Sequence, residues 1–154
     1  MKYIKLNHNL FTIVDDEDYD LVNKWKWYCK RGYAVRSIYV NKKSKKVYLH
    51  RFLMNTPEGL SVDHINGNKL DNRKANLRNC TLQQNLCNRP VSKNKDSCKF
   101  KGVYRHESGK WLALIKKDGK RFHIGLFSEI KDAAKAYDKK AIELQGEFAH
   151  PNFI

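Results

Sequence analysis

The feature that most constrains what this sequence can fold into is a polar run near its middle, residues 88–97, in which Val91 is the only aliphatic side chain. A run of this composition adds little to a hydrophobic core, and with Pro90 inside it the run is typical of a linker. The 154 residues leave room for one ordinary domain or for two to three very small ones. The linker favours the second arrangement, in which the segments on either side fold separately.

The sequence is strongly basic on both sides of this linker. Thirty-one lysine and arginine residues against sixteen aspartate and glutamate residues give a net charge of +15. Neutralising phosphates and releasing their counterions converts such an excess into binding energy, so nucleic acid is the expected partner. An anionic membrane surface is the alternative, but no apolar run approaches the roughly 20 residues of a membrane span, and no basic amphipathic helix stands out. We therefore expect no membrane association.

The N-terminus and the cysteines indicate the compartment. The first residues lack the apolar stretch and cleavage site of a signal peptide, which predicts a cytoplasmic protein. The four cysteines form no C-x-x-C pair, so neither a zinc ribbon nor a redox dithiol is indicated, and reduced thiols fit the cytoplasm. Hydrophobic residues make up 41% of the chain, too many for a disordered basic tail, so we expect a folded binder.

The N-terminal part begins with a short apolar strand, Leu10–Val14, followed by an acidic cluster at residues 15–20. Leu21, Val22 and Trp25 then recur at helical spacing. The acidic cluster is either a metal site or the first turn of this helix, where carboxylates meet free N–H groups and the positive end of the dipole. The second interpretation is favoured.

Two β-rich runs follow, Tyr33–Val40 and Val47–Phe52, joined through a lysine-rich connection at residues 41–46. This pattern predicts a hairpin with a cationic tip. The lysines at the tip are either a solvated loop or a contact to a phosphate backbone, and the sequence leaves both readings open.

The segment from Val62 to Arg89 has the order strand, long loop, strand, helix. Val62–Ile65 and Leu77–Cys80 are the predicted strands, and Asn66-Gly67-Asn68 is a turn of the kind that supplies positive φ. Thr81 and Gln84 form a capping-box pattern, so we expect a helix from Leu82 to about Arg89. An acid beside a histidine on the first strand, and asparagines one turn apart on the helix, then converge where the helix packs across the hairpin.

This segment resembles the HNH endonuclease motif in the form carried by phage and intron-associated homing endonucleases. The resemblance is carried by Asp63-His64, by Asn76-Leu77-Arg78 and by the helix residue Asn85, and it extends to His50-Arg51-Phe52-Leu53. In all it covers about Phe11 to Asn88. A helix asparagine in place of a final histidine also occurs in the homing branch. The paired cysteines that brace some relatives with zinc are absent, so we expect the hairpin to be braced by packing alone.

The resemblance implies a role for each motif residue. His64 is the general base, Asp63 and Asn85 are ligands of one divalent metal ion, Mg²⁺ or Mn²⁺, and Asn76 fixes the loop and the histidine strand. The chemistry is coherent with this assignment, because hydrolysis needs an activated water and charge neutralisation at the leaving oxygen. A neutral imidazole suits the first task, and a hard cation with oxygen ligands suits the second.

Several neighbouring residues receive weaker assignments. His50 either faces the site and assists or simply packs, with packing favoured, and Asn88 is a possible accessory residue. Asn72 is given no function. The basic residues expected to contact phosphates in this part of the chain are Lys42 to Lys46, Arg73, Arg78 and Arg89.

The C-terminal part predicts three strands and one helix. Trp111–Lys117 and Arg121–Gly125 flank an Asp118-Gly119 turn, and a short strand precedes them at Val103. Ser128 is a candidate N-cap for a helix that Gly146 ends. Alternation places one set of side chains under the helix: Val103, Trp111, Ala113, Ile115, Phe122 and Ile124. The opposite, free face carries Tyr104, His106, Leu112, Leu114, Lys116, Arg121 and His123.

This part is similar to the ethylene-response-factor (APETALA-type) DNA-binding domain, known from plant transcription factors and from some homing endonucleases. The match covers nearly all of Phe100 to Phe153 and includes Gly102-Val103, Lys110-Trp111-Leu112-Ala113, Ile124-Gly125-Leu126-Phe127, Ala133-Ala134-Lys135-Ala136-Tyr137-Asp138 and Asn152-Phe153. The family docks its sheet in the major groove. The positions matching its DNA contacts are Lys101, Tyr104, His106, Lys116, Arg121 and His123. Leu112 and Leu114 would meet thymine methyl groups or another part of the chain.

Together these patterns predict an α+β protein. A β-rich N-terminal segment, 1–48, leads into a ββα-metal (HNH) finger at 49–89, then a basic linker at 90–99 and a DNA-binding sheet on one helix at 100–154. The predicted function is site-specific, metal-dependent cleavage of double-stranded DNA by a monomer that takes no small-molecule substrate. A non-cleaving DNA-binding regulator is the main alternative, and an RNA-binding protein that stacks rings on unpaired bases is a third.

Overall fold

The structure is a computed structural model that describes residues 1–89 and 98–153. It separates into two compact units, Met1–Asn85 and Leu86–Ile154. Residues 90–97, which make up most of the predicted linker, lie outside the described residues.

The first unit opens with a β-hairpin and a short helix that contribute to its core. Strand β1 (Lys2–Lys5) pairs antiparallel with β2 (Phe11–Val14), and helix α1 (Asp16–Asn23) follows. The acidic residues occupy the first turn of α1, as predicted, where they oppose the positive end of the helix dipole. The buried core of this unit consists of Ile4, Leu6, Val14, Val22, Trp27, Ala34 and Leu49.

A three-stranded antiparallel sheet comes next: β3 (Tyr28–Lys30), β4 (Tyr33–Val40) and β5 (Lys43–Tyr48). The predicted hairpin is present, but its turn is Asn41 and Lys42 alone, both at positive φ, so the lysines from 43 onward lie on β5 and not in a connection spanning 41–46 as predicted. The strand prediction for Leu49–Phe52 is also wrong. These residues form helix α2 (Leu49–Leu53), because Leu49 and His50 are both buried, and a strand would point adjacent side chains to opposite faces.

The motif-bearing segment has the predicted order. Strand β6 (Ser61–His64) pairs antiparallel with β7 (Leu77–Cys80), and helix α3 (Leu82–Cys87) follows. The capping box is formed: the Thr81 backbone N–H donates to Gln84 Oε1 at 2.8 Å, and the Gln84 N–H donates to Thr81 Oγ1 at 3.2 Å. The helix ends at Cys87, two residues before the predicted end.

The second unit is a sheet on one helix. Its strands are β8 (Val103–Arg105), β9 (Trp111–Lys117) and β10 (Lys120–Phe127), in the spatial order β10-β9-β8, and the helix is α4 (Ile130–Gln145). All six side chains predicted to lie under the helix pack in the two apolar clusters between sheet and α4. The predicted N-cap is wrong: the cap position is Glu129, and no side chain there bonds to the helix.

Two close contacts fix the start and end of this unit. Gly102 has φ +71° and approaches the Tyr137 ring so closely that a Cβ would lie 2.0 Å from it, so only glycine fits. The Asn152 amide bonds to both backbone groups of Lys101, and Asp138 accepts from the Asn152 N–H at 2.7 Å. These bonds tie the C-terminal segment to Lys101, just before β8, and to Asp138 of α4.

The chain is therefore a mixed α/β protein with several small antiparallel sheets and few helices, in line with the predicted α+β class. Among the residues at 1–89 and 98–153, no helix has the length and apolar character needed to cross a membrane.

Candidate functional site

Asp63 and His64 end strand β6, and both side chains are buried, at 4% and 5% exposure. The register of the hairpin places Arg78 of β7 directly opposite Asp63. The Arg78 guanidinium donates to Asp63 Oδ2 through Nε at 2.9 Å and through Nη2 at 2.7 Å. The carboxylate is thus held in one orientation, and the arginine predicted to contact phosphate is engaged within the site.

His64 lies among other rings. Its centroid is 5.2 Å from that of His50 and 6.1 Å from that of Tyr33, and its Nε2 is 3.4 Å from Asn72 Oδ1. Burial lowers the pKa of His64, while the Asn72 hydrogen bond and the Asp63 charge act in the opposite direction. The imidazole is neutral at pH 7 and can accept a proton.

His50 lies on α2 and packs edge-on against the ring of His64. The ring is also in contact with Tyr33 and Tyr48, at centroid distances of 5.2 and 5.6 Å. Burial lowers the pKa of His50 to about 3, with smaller contributions from His64 and Arg51. Its Nδ1 is buried and has no hydrogen-bond partner among the residues the structure describes. The sequence left open whether His50 faces the site or simply packs. The two are not exclusive, because the ring packs and its packing partner is His64.

The side chain of Asn76 links two parts of the loop between β6 and β7. Its Oδ1 accepts from the Asn66 N–H at 2.9 Å, and its Nδ2 donates to the Asp71 carbonyl at 2.8 Å. Asp71 in turn accepts from the Arg73 guanidinium at 2.6 Å and from Asn66 Nδ2 at 3.0 Å. These contacts support the loop-fixing role that the resemblance implies for Asn76. They also engage Arg73, which was predicted to contact phosphate.

The same loop is attached to the N-terminal strand β2. The Ile13 N–H donates to the Leu70 carbonyl and the Asn72 N–H donates to the Ile13 carbonyl, both at 2.8 Å, in a short parallel bridge. Lys74 Nζ pairs with Glu17 and Asp18 of α1 at 2.7 and 2.9 Å. The hairpin is therefore braced by hydrogen bonds and ion pairs as well as by packing. The acidic cluster contributes to this brace in addition to starting α1.

Asn72 is the residue that sequence reasoning missed. Its side chain is fully buried, at 0% exposure, between His64 and Thr12, and Asn72 Nδ2 donates to Thr12 Oγ1 at 2.7 Å. Its sequence neighbourhood reads as an ordinary polar loop. The only signal of its role is its partner sixty positions earlier in the chain, which a single sequence does not reveal.

Asn85 of α3 reaches back to β6, where its Nδ2 is 3.4 Å from the Val62 carbonyl, next to Asp63. The described residues include no group of three or more His, Cys, Asp or Glu side chains suited to a metal. The available donors are one carboxylate and one amide oxygen, which fit a hard divalent cation that keeps several waters. Asn88 belongs to the second unit.

The free face of the second unit's sheet gathers several predicted contact residues. Lys116 and Arg121 are exposed and lie directly opposite each other, and His123 lies opposite Leu114. Like charges across a strand pair repel, and an anion on this face relieves the repulsion.

A bulge between His123 and Gly125 brings Leu126 opposite Leu112, beside Tyr104 on the neighbouring strand. Sequence alternation did not place Leu126 on this face, because the bulge shifts the pattern.

The remaining predicted contact residues are placed differently. Lys101 is half-buried and its Nζ donates to the carbonyls of Cys87 and Arg89 at 2.6 and 2.8 Å, so its ammonium is engaged within the unit. Burial lowers the pKa of Lys101. His106 follows β8 and its Nδ1 accepts from the Ser108 N–H at 3.2 Å. Arg89 is exposed.

Comparison with known proteins finds matches to both parts of the chain. A family described as HNH endonuclease matches residues 55–87, and the AP2 domain matches residues 98–147. An uncharacterized HNH endonuclease of Acanthamoeba polyphaga mimivirus is 37% identical in an alignment 151 residues long that covers 94% of this chain and 75% of the viral protein.

Two plant proteins match the C-terminal part. Dehydration-responsive element-binding protein 2D of Arabidopsis thaliana is 43% identical over 58 residues, and an ethylene-responsive transcription factor of Lotus japonicus is 38% identical over 65 residues. The matched stretches cover 36% and 41% of this chain but only 28% and 24% of the plant proteins.

Proposed function

Because this chain belongs to the HNH endonuclease family, we propose that it is a site-specific endonuclease that hydrolyses double-stranded DNA. In this proposal the first unit cuts, the second unit reads the sequence through its sheet, and the protein acts as a cytoplasmic monomer. The observation that carries the proposal is the buried Asp63-His64 pair at the end of β6, with the amide of Asn85 beside that strand.

His64 acts as the general base. It accepts the proton of the water that attacks phosphorus, and its neutral state at pH 7, which follows from burial, prepares it to do so. Asp63 beside it stabilises the positive imidazolium that forms, as its effect on the pKa of His64 already indicates. Asn76 positions His64 by fixing the loop that returns to β7.

Asp63 and Asn85 are the proposed metal ligands. Both supply oxygen donors from adjacent elements, which suits Mg²⁺ or Mn²⁺. When bound, such a cation neutralises the charge that develops on the leaving oxygen. Arg78, which holds Asp63 Oδ2, orients the carboxylate and adds a positive charge close to the place where the phosphate is cut. In this proposal β6, β7 and α3 form a ββα-metal finger.

The second unit supplies recognition. Its free face presents Lys116, Arg121 and His123 together, and an exposed basic row on a small antiparallel sheet is the kind of surface that β-sheet proteins place in a DNA groove. Tyr104 and the leucines beside it are the candidates for contacts to base edges. Lys101 has a structural role in this proposal, because its ammonium is held by two carbonyls.

A cleavage assay tests the proposal. Supercoiled plasmids carrying a randomised insert library are incubated with the protein and Mg²⁺ or Mn²⁺, and cut ends are sequenced. We expect nicked or linear product at a defined sequence, abolished by a chelator and reduced about 100-fold or more in His64→Ala. His8→Asn is the matched control, since His8 is exposed and its positive φ suits asparagine.

Three results would contradict the proposal. DNA binding without cleavage in either metal would favour a regulator, and cleavage that His64→Ala retains would remove the assigned base. Tighter binding to single-stranded RNA than to duplex DNA would favour the RNA-binding alternative.

A further inference from the structure

We propose that Thr12 of strand β2, acting through Asn72, fixes the neutral tautomer of His64, so that the proton sits on Nε2 and Nδ1 is the basic nitrogen. This inference rests on the proposed function only in its catalytic consequence, that Nδ1 is the atom that accepts the proton. The tautomer itself is a property of the protein without DNA or metal.

The chain of hydrogen bonds starts at the Leu70 carbonyl. Thr12 Oγ1 lies 2.8 Å from this oxygen, and a carbonyl only accepts hydrogen bonds. A proton must lie between two oxygens at this distance, and the threonine hydroxyl alone can supply it. The Thr12 oxygen therefore has only acceptor capacity left for its other neighbours.

That neighbour is the amide of Asn72. Its nitrogen lies 2.7 Å from Thr12 Oγ1 and donates to it, which fixes which end of the amide faces the threonine. The amide oxygen then faces His64, where it lies 3.4 Å from Nε2. An amide oxygen has no proton to give, so the hydrogen bond requires the proton on His64 Nε2. In a neutral imidazole the basic lone pair is then on Nδ1.

Burial makes this chain of hydrogen bonds hard to reverse. Thr12 and Asn72 are both fully buried, at 0% exposure, and His64 is at 5%. Turning the amide by 180° would place its oxygen against the Thr12 oxygen, whose proton is already donated to the Leu70 carbonyl, with no solvent to compensate. The backbone reinforces the arrangement, because the residue after Thr12 makes two hydrogen bonds to the loop, one of them to Asn72 itself.

The catalytic meaning follows from directionality. A histidine that alternates between tautomers offers the correct lone pair for only part of the time. A relay fixed from β2 keeps the same nitrogen ready throughout. Thr12 and Asn72 are therefore positioning residues for the base, and β2 is part of the nuclease even though it lies outside the matched residues 55–87.

The first test measures the tautomer directly in the whole protein. Nitrogen-15 NMR of histidine-labelled protein at pH 8, without DNA or metal, distinguishes protonated from bare ring nitrogens, and His64→Ala identifies the signals of His64. We expect a protonated Nε2 and a bare Nδ1. A proton on Nδ1, or averaged signals from both tautomers, overturns the inference, and this result does not depend on whether the protein cleaves DNA.

The second test uses variants of the relay. Thr12→Val keeps the shape but removes the hydroxyl, so the Asn72 amide loses the partner that orients it, whereas Thr12→Ser keeps the hydroxyl. We expect Thr12→Val to broaden or invert the tautomer signals and to lower kcat by about tenfold, a part of what a general base contributes, with little change in KM. Thr12→Ser should behave as the unsubstituted protein.

A defect in Thr12→Val that raises KM and leaves the tautomer unchanged contradicts the relay and indicates a general structural effect. Absence of cleavage in all variants, with the tautomer as expected, counts against the proposed function and leaves the relay standing. Should Thr12→Val fail to fold, the measurement on the unsubstituted protein still decides the question.

Discussion

At the scale of single residues, the pair His50 and His64 shows how burial assigns different roles to the same side chain. The two rings are in contact, and burial lowers the pKa of both. His64 also has Asn72 and Asp63 to favour its charged form, so it is the ring able to hold a proton transiently. His50 has no such partner in the described residues and remains neutral, so it does not place a second positive charge beside His64.

This contrast predicts an acid-sensitive fold. In the unfolded chain His50 takes up a proton near pH 6.5, whereas in the folded protein its pKa is about 3. Between these values the unfolded state binds more protons, so stability falls as the pH falls, by up to about 1.4 kcal/mol per pH unit from this residue. The measurement is the free energy of unfolding by denaturant from pH 7 to pH 4. His50→Phe fills the same space without a titrating group and should show a flatter dependence.

His8→Asn is the comparison variant for this experiment, since it removes an exposed histidine and should leave the slope unchanged. A His50→Phe profile as steep as that of the unsubstituted protein would show that other groups govern the acid response.

At the scale of elements, the short helix α3 depends on its cap. It has only six residues, none of them buried, and the Thr81–Gln84 box supplies partners for its first N–H groups. Because the proposed metal ligand Asn85 is on this helix, fraying should weaken metal binding before it weakens DNA binding. We predict that Thr81→Ala lowers the free energy of unfolding by about 1 kcal/mol and raises the Mn²⁺ concentration needed for cleavage. Thr81→Ser, which keeps the hydroxyl, should do neither, and equal effects of the two substitutions would exclude the cap as the cause.

The elements that could be predicted from the sequence are those with local signals. The capping residues at 81 and 84 predicted α3, and the Asp118-Gly119 turn predicted the hairpin of β9 and β10. The alternation of apolar residues predicted the core face of that sheet. The errors come from tertiary context. Leu49–Phe52 was predicted as a strand, yet these residues form a helix that buries the adjacent side chains of Leu49 and His50.

The candidate site follows the same division. Asp63, His64 and Asn85 were predicted from a motif that is contiguous along one hairpin and helix. Thr12 and Asn72 were not found, since their pairing depends on β2 meeting a loop some sixty residues later. A pairing over this separation leaves no periodicity or spacing for a single sequence to reveal.

One end of the free face of the second unit's sheet is apolar and is a candidate surface for contact with a base. His106, Leu112, His123, Gly125 and Leu126 line a shallow depression of about 330 Å³ on the free face. The 5-methyl group of thymine is the apolar feature of the major groove, and burying one methyl is worth about 0.8 kcal/mol. We predict that replacing one thymine of the target by deoxyuridine weakens binding about fourfold, by fluorescence anisotropy. Leu112→Ala should abolish this difference, and an effect of equal size in both proteins would place the methyl elsewhere.

At the scale of the whole molecule, the positively charged side chains differ in whether they are paired with an acidic side chain. Around the candidate site three cations are paired with acids: Arg73 with Asp71, Lys74 with Glu17 and Asp18 of α1, and Arg78 with Asp63. On the sheet of the second unit, Lys116 and Arg121 form no ion pair within the described residues. The charges that shape the site are thus largely neutralised, and those on the sheet remain available to phosphates.

This distribution predicts that binding and cutting can be separated by substitution. Removing both sheet cations in Lys116→Gln/Arg121→Gln should lower DNA affinity at all sequences alike and reduce the slope of log K against log salt by about 1.8, or about 0.9 for each lost phosphate contact. Cleavage at saturating DNA should keep its kcat, because these residues do not touch the reacting atoms. His64→Ala should show the reverse, an unchanged salt slope with kcat reduced about 100-fold or more. A double substitution that lowers kcat at saturation, or a His64→Ala protein with a reduced salt slope, would contradict this division of labour, because either result would make recognition and chemistry depend on the same residues.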